Sequence, residues 1–259
     1  MTCKNCDNTL RTDYSFCPDC GAKVIRNKLT IKNLFYDITE RYFNLDNTFL
    51  KTIYHLIIKP EVVIEGYING IRKKYLNPIS YMGIALTLSG LIVILMKKKA
   101  AFINLDLFGT GISNANMKPI FDFTTDYQAI LFVLYIPMMA AASWLAYDKM
   151  KYNFTERLTI FIYTLAQFSI FTFIPSILIL IFSPENYAKL SLPLMGVMYL
   201  YSGWVIQRTG KLKGIEFISR VLIFFVLFTI QYLAISMLIP IFLILTGNMS
   251  FQDWIPKRN

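Results

Sequence analysis

The chain has 259 residues, 55% of them hydrophobic, 15% aromatic and only 16% charged, with a formal net charge of +10. Soluble domains carry about 25% charged residues, so a water-covered globule is excluded as the reading of the whole chain, and most of it is predicted to face lipid. The positive charge admits two partners, nucleic acid or an anionic membrane surface.

Residues 1–27 hold all four cysteines, as Cys3-Lys-Asn-Cys6 and Cys17-Pro-Asp-Cys20-Gly21. Two C-x2-C turns supply four thiolates, the tetrahedral set that a structural zinc prefers. Pro18 presets the backbone of the second turn and Gly21 admits a close approach. So short a segment builds no hydrophobic core, and metal binding would supply most of its folding free energy. A zinc ribbon is therefore predicted, with Cys3, Cys6, Cys17 and Cys20 as ligands. A rubredoxin-type iron site shares this ligand set. A closed four-cysteine site leaves no position for water and is structural rather than catalytic.

Residues 28–76 read as amphipathic juxtamembrane helices. Ile31, Leu34, Phe35, Ile38 and Tyr42 follow helical spacing after Thr30 as N-cap. A second helix starts near Asp46–Thr48 and buries Phe49, Leu50, Ile53, Tyr54 and Ile57, and a third covers 60–71 with Pro60 in its first turn. These helices are expected to lie on the cytosolic face. Arg72, Lys73 and Lys74 then precede the membrane and are predicted to contact anionic headgroups, at about 1 kcal/mol per basic residue. His55 is read as a packed or interfacial residue, and Glu61 and Glu65 as a solvated face.

Residues 77–246 contain five long apolar stretches, roughly 78–96, 127–147, 158–182, 190–207 and 219–246. About 20 apolar residues span a bilayer as a helix, so five transmembrane helices are predicted, followed by a short tail, 247–259. No secretory leader is expected, and the first span would serve as the internal insertion signal. With the N-terminus inside, 19 of the 26 Lys and Arg fall on the inner side; the N-terminus is thus predicted cytosolic and the C-terminus outside. Lys97, Lys98 and Lys99 oppose this assignment, and a re-entrant first stretch is the alternative. Tyr127, Trp144, Tyr147, Tyr187, Trp204 and Trp254 are read as interface anchors. The pairs Gly83/Gly90 and Gly196/Gly203 are read as close helix contacts. Pro137, Pro175, Pro193 and Pro240 lie within spans. Gln167 and Gln231 stand out as a polar intramembrane site.

The order of ribbon, amphipathic stretch and spans resembles a family of bacterial polytopic membrane proteins of unknown function. The resemblance rests on the cysteine ribbon and on Lys59-Pro-Glu-Val-Val-Ile-Glu-Gly-Tyr-Ile-Asn-Gly-Ile-Arg72 with Tyr75, Asn77 and Pro78. Lys59 departs from the arginine expected there. The resemblance implies an all-α membrane protein of the bacterial inner membrane and supplies no mechanism.

The sequence favours a scaffold or regulator whose cytosolic ribbon binds a protein partner, with anionic lipid as the second partner. A transporter or channel acting through Gln167, Gln231 and the proline-kinked helices is the alternative. Familiar catalytic signatures are missing and no catalytic residue is assigned. Lys4, Arg11, Lys23, Arg26 and Lys28 are offset by Asp7, Asp13 and Asp19, and a zinc-tetrathiolate adds about −2. The ribbon is thus near neutral, unlike a nucleic-acid patch, and nucleic acid is not expected as a partner. The oligomeric state is left open.

Overall fold

The computed structural model describes residues 2–22, 24, 45–106, 114–147 and 152–250. The chain divides into two compact units, Met1–Asp46 and Asn47–Asn259. The helix expected after Thr30, from Ile31 to Tyr42, and the tail beyond 250 with Trp254 lie outside the described residues.

Among the described residues the second unit holds helices and no strands. Its elements are α1 (Leu45–Ile58), α2 (Pro60–Ile68), α3 (Pro78–Lys99), α4 (Asn114–Asp126), α5 (Gln128–Ala146), α6 (Phe154–Phe182), α7 (Tyr187–Gly210) and α8 (Gly214–Leu245). Starts follow local capping chemistry. Asn77 accepts from the Ser80 N–H with Pro78 in the first turn, and Asn153 forms a full capping box with Glu156.

Four helical segments are long and apolar enough to cross a membrane: Pro78–Phe102, Gln128–Ala146, Phe154–Phe182 and Gly214–Leu245. They mark an integral membrane protein. The fifth predicted stretch, 190–207, does form a helix, α7, of 24 residues. Its tyrosines, glycines and terminal Gln207 and Arg208 dilute its apolar character below that of the other four.

Helix directions follow from cross-helix contacts. The Tyr163 hydroxyl donates to the Leu76 carbonyl (2.7 Å), Tyr81 donates to Gln167, and Ser169 reaches the Ala85 carbonyl (3.4 Å), so α3 and α6 run parallel. Gln128 donates to Ser89 (3.0 Å) at one end of α5, and Arg157 meets Ser143 at the other, so α5 runs opposite. Arg220 near the start of α8 donates to the Ala146 carbonyl, and Phe242 near its end packs on Phe123. The parallel helices α6 and α8 are joined by α7, which returns along the full bundle. Its first residues pack with Leu180 and Ile92, and its last contact Tyr152 through the Thr209 carbonyl. The bundle therefore has an α2 end and an α4 end.

α6 is the central helix, with Arg157, Ile160, Phe161, Thr164, Ala166 and Gln167 on its buried face. Buried hydroxyls on it turn back to their own helix, Thr164 to Ile160 and Thr172 to Phe168, which satisfies them without a partner helix. Phe161, Phe224 and Phe228 form a stacked run.

α1 and α2 are more deeply docked than surface helices. Leu56, Val63 and Ile64 have no exposure and join the bundle core. Leu50, Tyr54, Ile57 and Ile58 point outward instead; Leu50, Tyr54 and Ile57 were expected to be buried. α1 thus carries one face into the bundle and another apolar face toward its surroundings. Two further expectations are corrected. Tyr147 is fully buried beside Phe224 rather than at an interface. A Cβ placed at Gly83, Gly90 or Gly196 would meet nothing within 4 Å, so these are not close contacts, whereas at Gly203 it would come within 3.2 Å of Val221 and Phe225. Trp144 and Tyr127 are exposed, as interface anchors require.

Candidate functional site

In the first unit the two cysteine turns are near copies of each other. The Cys3 N–H donates to the Asn8 carbonyl and the Cys17 N–H to the Ala22 carbonyl, both at 2.8 Å. The Asp7 N–H returns to the Cys3 carbonyl (2.9 Å) and the Gly21 N–H to the Cys17 carbonyl (3.0 Å). Asp7 and Gly21, each following the second cysteine of its turn, have φ of 57° and 69°. That left-handed region suits Gly and is tolerated by Asp. Asn8 donates to Asp19 and ties the turns together. A bridge between Thr2 and Thr9 is the regular pairing among the described residues here.

The turns bring the four Sγ atoms of Cys3, Cys6, Cys17 and Cys20 within 4.8 Å of one another. Cys3–Cys20 and Cys6–Cys17 are each separated by 3.6 Å. A tetrahedral ion with metal–sulfur bonds near 2.3 Å needs sulfur–sulfur edges of about 3.8 Å, so the donor set fits a metal ion. A disulfide would need about 2.0 Å, and all four thiols are free. Each turn contributes one buried cysteine, Cys3 or Cys17, and one exposed, Cys6 or Cys20. The Asn5 side chain and the Ala22 backbone hydrogen-bond to Cys20 and pull its thiol down to about 6. Cys6 is also lowered by the Asn8 backbone, but hydrogen bonding to Cys20, with burial, Cys17 and Cys3, outweighs this and pushes it up to about 12. Four thiolates this close repel one another, and a divalent cation removes that conflict.

A second polar assembly sits at the α2 end of the bundle. Thr52, fully buried, donates to the Thr48 carbonyl and accepts from the Leu76 N–H (3.0 Å). His55 Nδ1 meets the Tyr75 hydroxyl at 2.6 Å, so the lone histidine is packed, as expected. Glu61 and Glu65 are engaged rather than solvated: Arg208 donates to both oxygens of Glu61 (3.0 and 2.6 Å), and the Tyr152 hydroxyl donates to Glu65 (3.0 Å). Burial, then the Glu65 carboxylate, raises the Tyr152 phenol. Arg72, Lys73 and Lys74 are exposed in the turn after α2. Arg72 lies 5.7 Å over Tyr67, and Lys51 and Lys74 lie 5.9 and 5.5 Å from the Tyr75 ring.

Arg157 was not singled out by the sequence. It is 1% exposed and donates to the Ser143 carbonyl and hydroxyl and to the Tyr147 carbonyl, each at 2.9 Å, and to the Tyr152 carbonyl at 3.1 Å. With Arg220 on Ala146, it satisfies the terminal carbonyls of α5 and complements the negative end of that helix. The signal in sequence is its position one residue after the capping box Asn153–Glu156.

Gln167 is 2% exposed and faces a groove of about 310 Å³ between α6 and α7, closed at one side by Ile57 of α1. Gln231 does not line that groove; its Oε1 is buried without a partner among the described residues. The two glutamines are therefore not assembled into one lining.

A family described as a protein of unknown function (DUF3667) matches residues 46–90. The matched segment is α1, α2, the basic turn and the first half of α3, and it folds as the α2 end of the bundle. No characterised protein and no solved structure shows significant similarity to the chain.

Proposed function

We propose that this chain is a membrane-anchored scaffold or regulator of the bacterial inner membrane, whose N-terminal unit is a structural zinc ribbon that docks a protein partner on the cytosolic side. The observation that carries the reading is the clustering of all four cysteine sulfurs within 4.8 Å of one another, a set that one tetrahedral ion would close with no position left for substrate or water. A site of that kind shapes a surface. The bundle supplies the anchor, with Arg72, Lys73 and Lys74 placed for anionic headgroups.

The topology we propose has five spans. α7 is about 36 Å long at 1.5 Å per residue, enough for the hydrocarbon core, and it connects two helices that start at the same end. Among the described residues ten Lys and Arg, from Lys51 to Arg220, gather at the α2 end against five at the α4 end. That asymmetry supports an inner α2 end and a C-terminus outside. Lys97 pairs with Asp126, which offsets one of the three lysines that oppose this orientation.

Reporter fusions at the N-terminus and after Asn259 test the topology: opposite sides are expected, and the same side for both would overturn five spans. Affinity capture from gently solubilised membranes tests the scaffold reading. A protein that co-purifies with the native chain and is lost with Cys3→Ser/Cys17→Ser supports it; an identical set of co-purifying proteins from both would overturn it.

A further inference from the structure

The groove at Gln167 has a polarity that matches one class of ligand. Its deeper walls, Phe168 and Phe171 of α6 and Val197 of α7, are apolar, and Phe171 and Val197 are exposed. Toward the α2 end it is bordered by Trp204 and Ile57. Both helices carry a proline one turn from this wall, Pro175 four residues after Phe171 and Pro193 four before Val197. Each proline removes a helix hydrogen bond.

Gln167 and Tyr201 also line this space; the Tyr201 hydroxyl donates to the Leu56 carbonyl (3.1 Å). Gln167 Oε1 accepts from the Tyr81 hydroxyl, and its Nε2 has no hydrogen-bond partner among the described residues. An amide N–H without a partner is costly in an apolar environment, so a ligand that accepts from Nε2 gains from satisfying it.

The level of the amide narrows the ligand. α3 has 22 residues, about 33 Å at 1.5 Å per residue, close to a hydrocarbon core of about 30 Å. Tyr81 is the fourth residue of α3, so Gln167 sits about 5 Å inside the edge of that core. Glycerol esters lie at this edge, acyl chains deeper and headgroups beyond. Lys59, exposed, follows Ile57 by two residues on the headgroup side.

We infer that the groove between α6 and α7 is a binding site for one phospholipid of the leaflet at the α2 end. An acyl chain lies along Phe168, Phe171 and Val197, and Gln167 Nε2 donates to an ester carbonyl. All residues that line the groove belong to the second unit.

Fluorescence quenching tests this in vesicles of ether-linked phosphatidylcholine, which has no ester carbonyl, doped with ester-linked phosphatidylcholine brominated on its acyl chains. One protein carries Trp144→Phe and Trp254→Phe and reports from Trp204 in the groove. The other carries Trp204→Phe and Trp254→Phe and reports from Trp144, which is exposed on α5. Trp204 is expected to reach half-quenching at a bromolipid fraction about fivefold below that of Trp144, the preference one hydrogen bond confers. Gln167→Met is expected to abolish this preference. Val197→Phe, a substitution at an exposed position that fills the groove, is expected to do the same and keeps the test valid should Gln167→Met fail to fold. Equal quenching of Trp204 and Trp144, or a preference unchanged in Val197→Phe, would overturn the site. So would crosslinking that shows a second copy of the chain seated in the groove.

Discussion

The two units of this protein solve the same problem with opposite means. Among the described residues the first unit buries Cys3, Leu10 and Cys17, too little apolar surface to offset the entropy of ordering its chain. The bundle buries a continuous core running from Leu56 to Phe228. The first unit therefore rests on four clustered sulfurs that fit a metal ion, and the second on packing. Damage to one is expected to leave the other intact.

The largest effect should come from the sulfurs. Cys3→Ser/Cys17→Ser removes two of four ligands, and structural zinc sites contribute on the order of 10 kcal/mol. The N-terminal unit should become open to proteolysis while the helical circular dichroism of the bundle is unchanged. Within the bundle, Arg157→Met should cost about 3 kcal/mol, because it strips donors from buried carbonyls at the end of α5; the check is thermal unfolding in detergent, with metal content unaltered. Gly203→Ala should cost about 1 kcal/mol, since a Cβ there meets Val221 and Phe225 at 3.2 Å. Gly83→Ala, where the space is open, should be neutral or slightly stabilising. Among the destabilising changes the smallest effect should be Glu61→Gln. Its partner Arg208 is 42% exposed at the side chain, so the lost pair is worth about 0.5–1 kcal/mol and should weaken further in high salt.

The same contrast explains what the sequence discloses. The cysteine turns are legible because the ligands are named by residue type and spacing, and the geometry follows from two tight turns. Four apolar segments are legible from length and composition. α7 lies at the margin because Tyr199, Tyr201, Gly203 and Gln207 dilute it, although its place between two parallel helices gives it the same path as its neighbours. Packing directions are not carried by composition. Gly83 and Gly90 share a helix face by arithmetic yet touch nothing, and Tyr147 looks like an interface anchor yet points inward. Arg157 reads as an ordinary charge before α6 until the fold brings the end of α5 against it. Gln167 is visible as an amide in an apolar run, but the groove it faces needs Ile57 from a helix more than a hundred residues earlier.

Metal analysis of the intact purified chain tests the central claim most directly. One equivalent of zinc per chain is predicted, released by a chelator together with four thiols that become reactive, with no loss of bundle helicity. A chain that purifies without zinc or any other metal, and whose four thiols react freely from the start, would contradict the account.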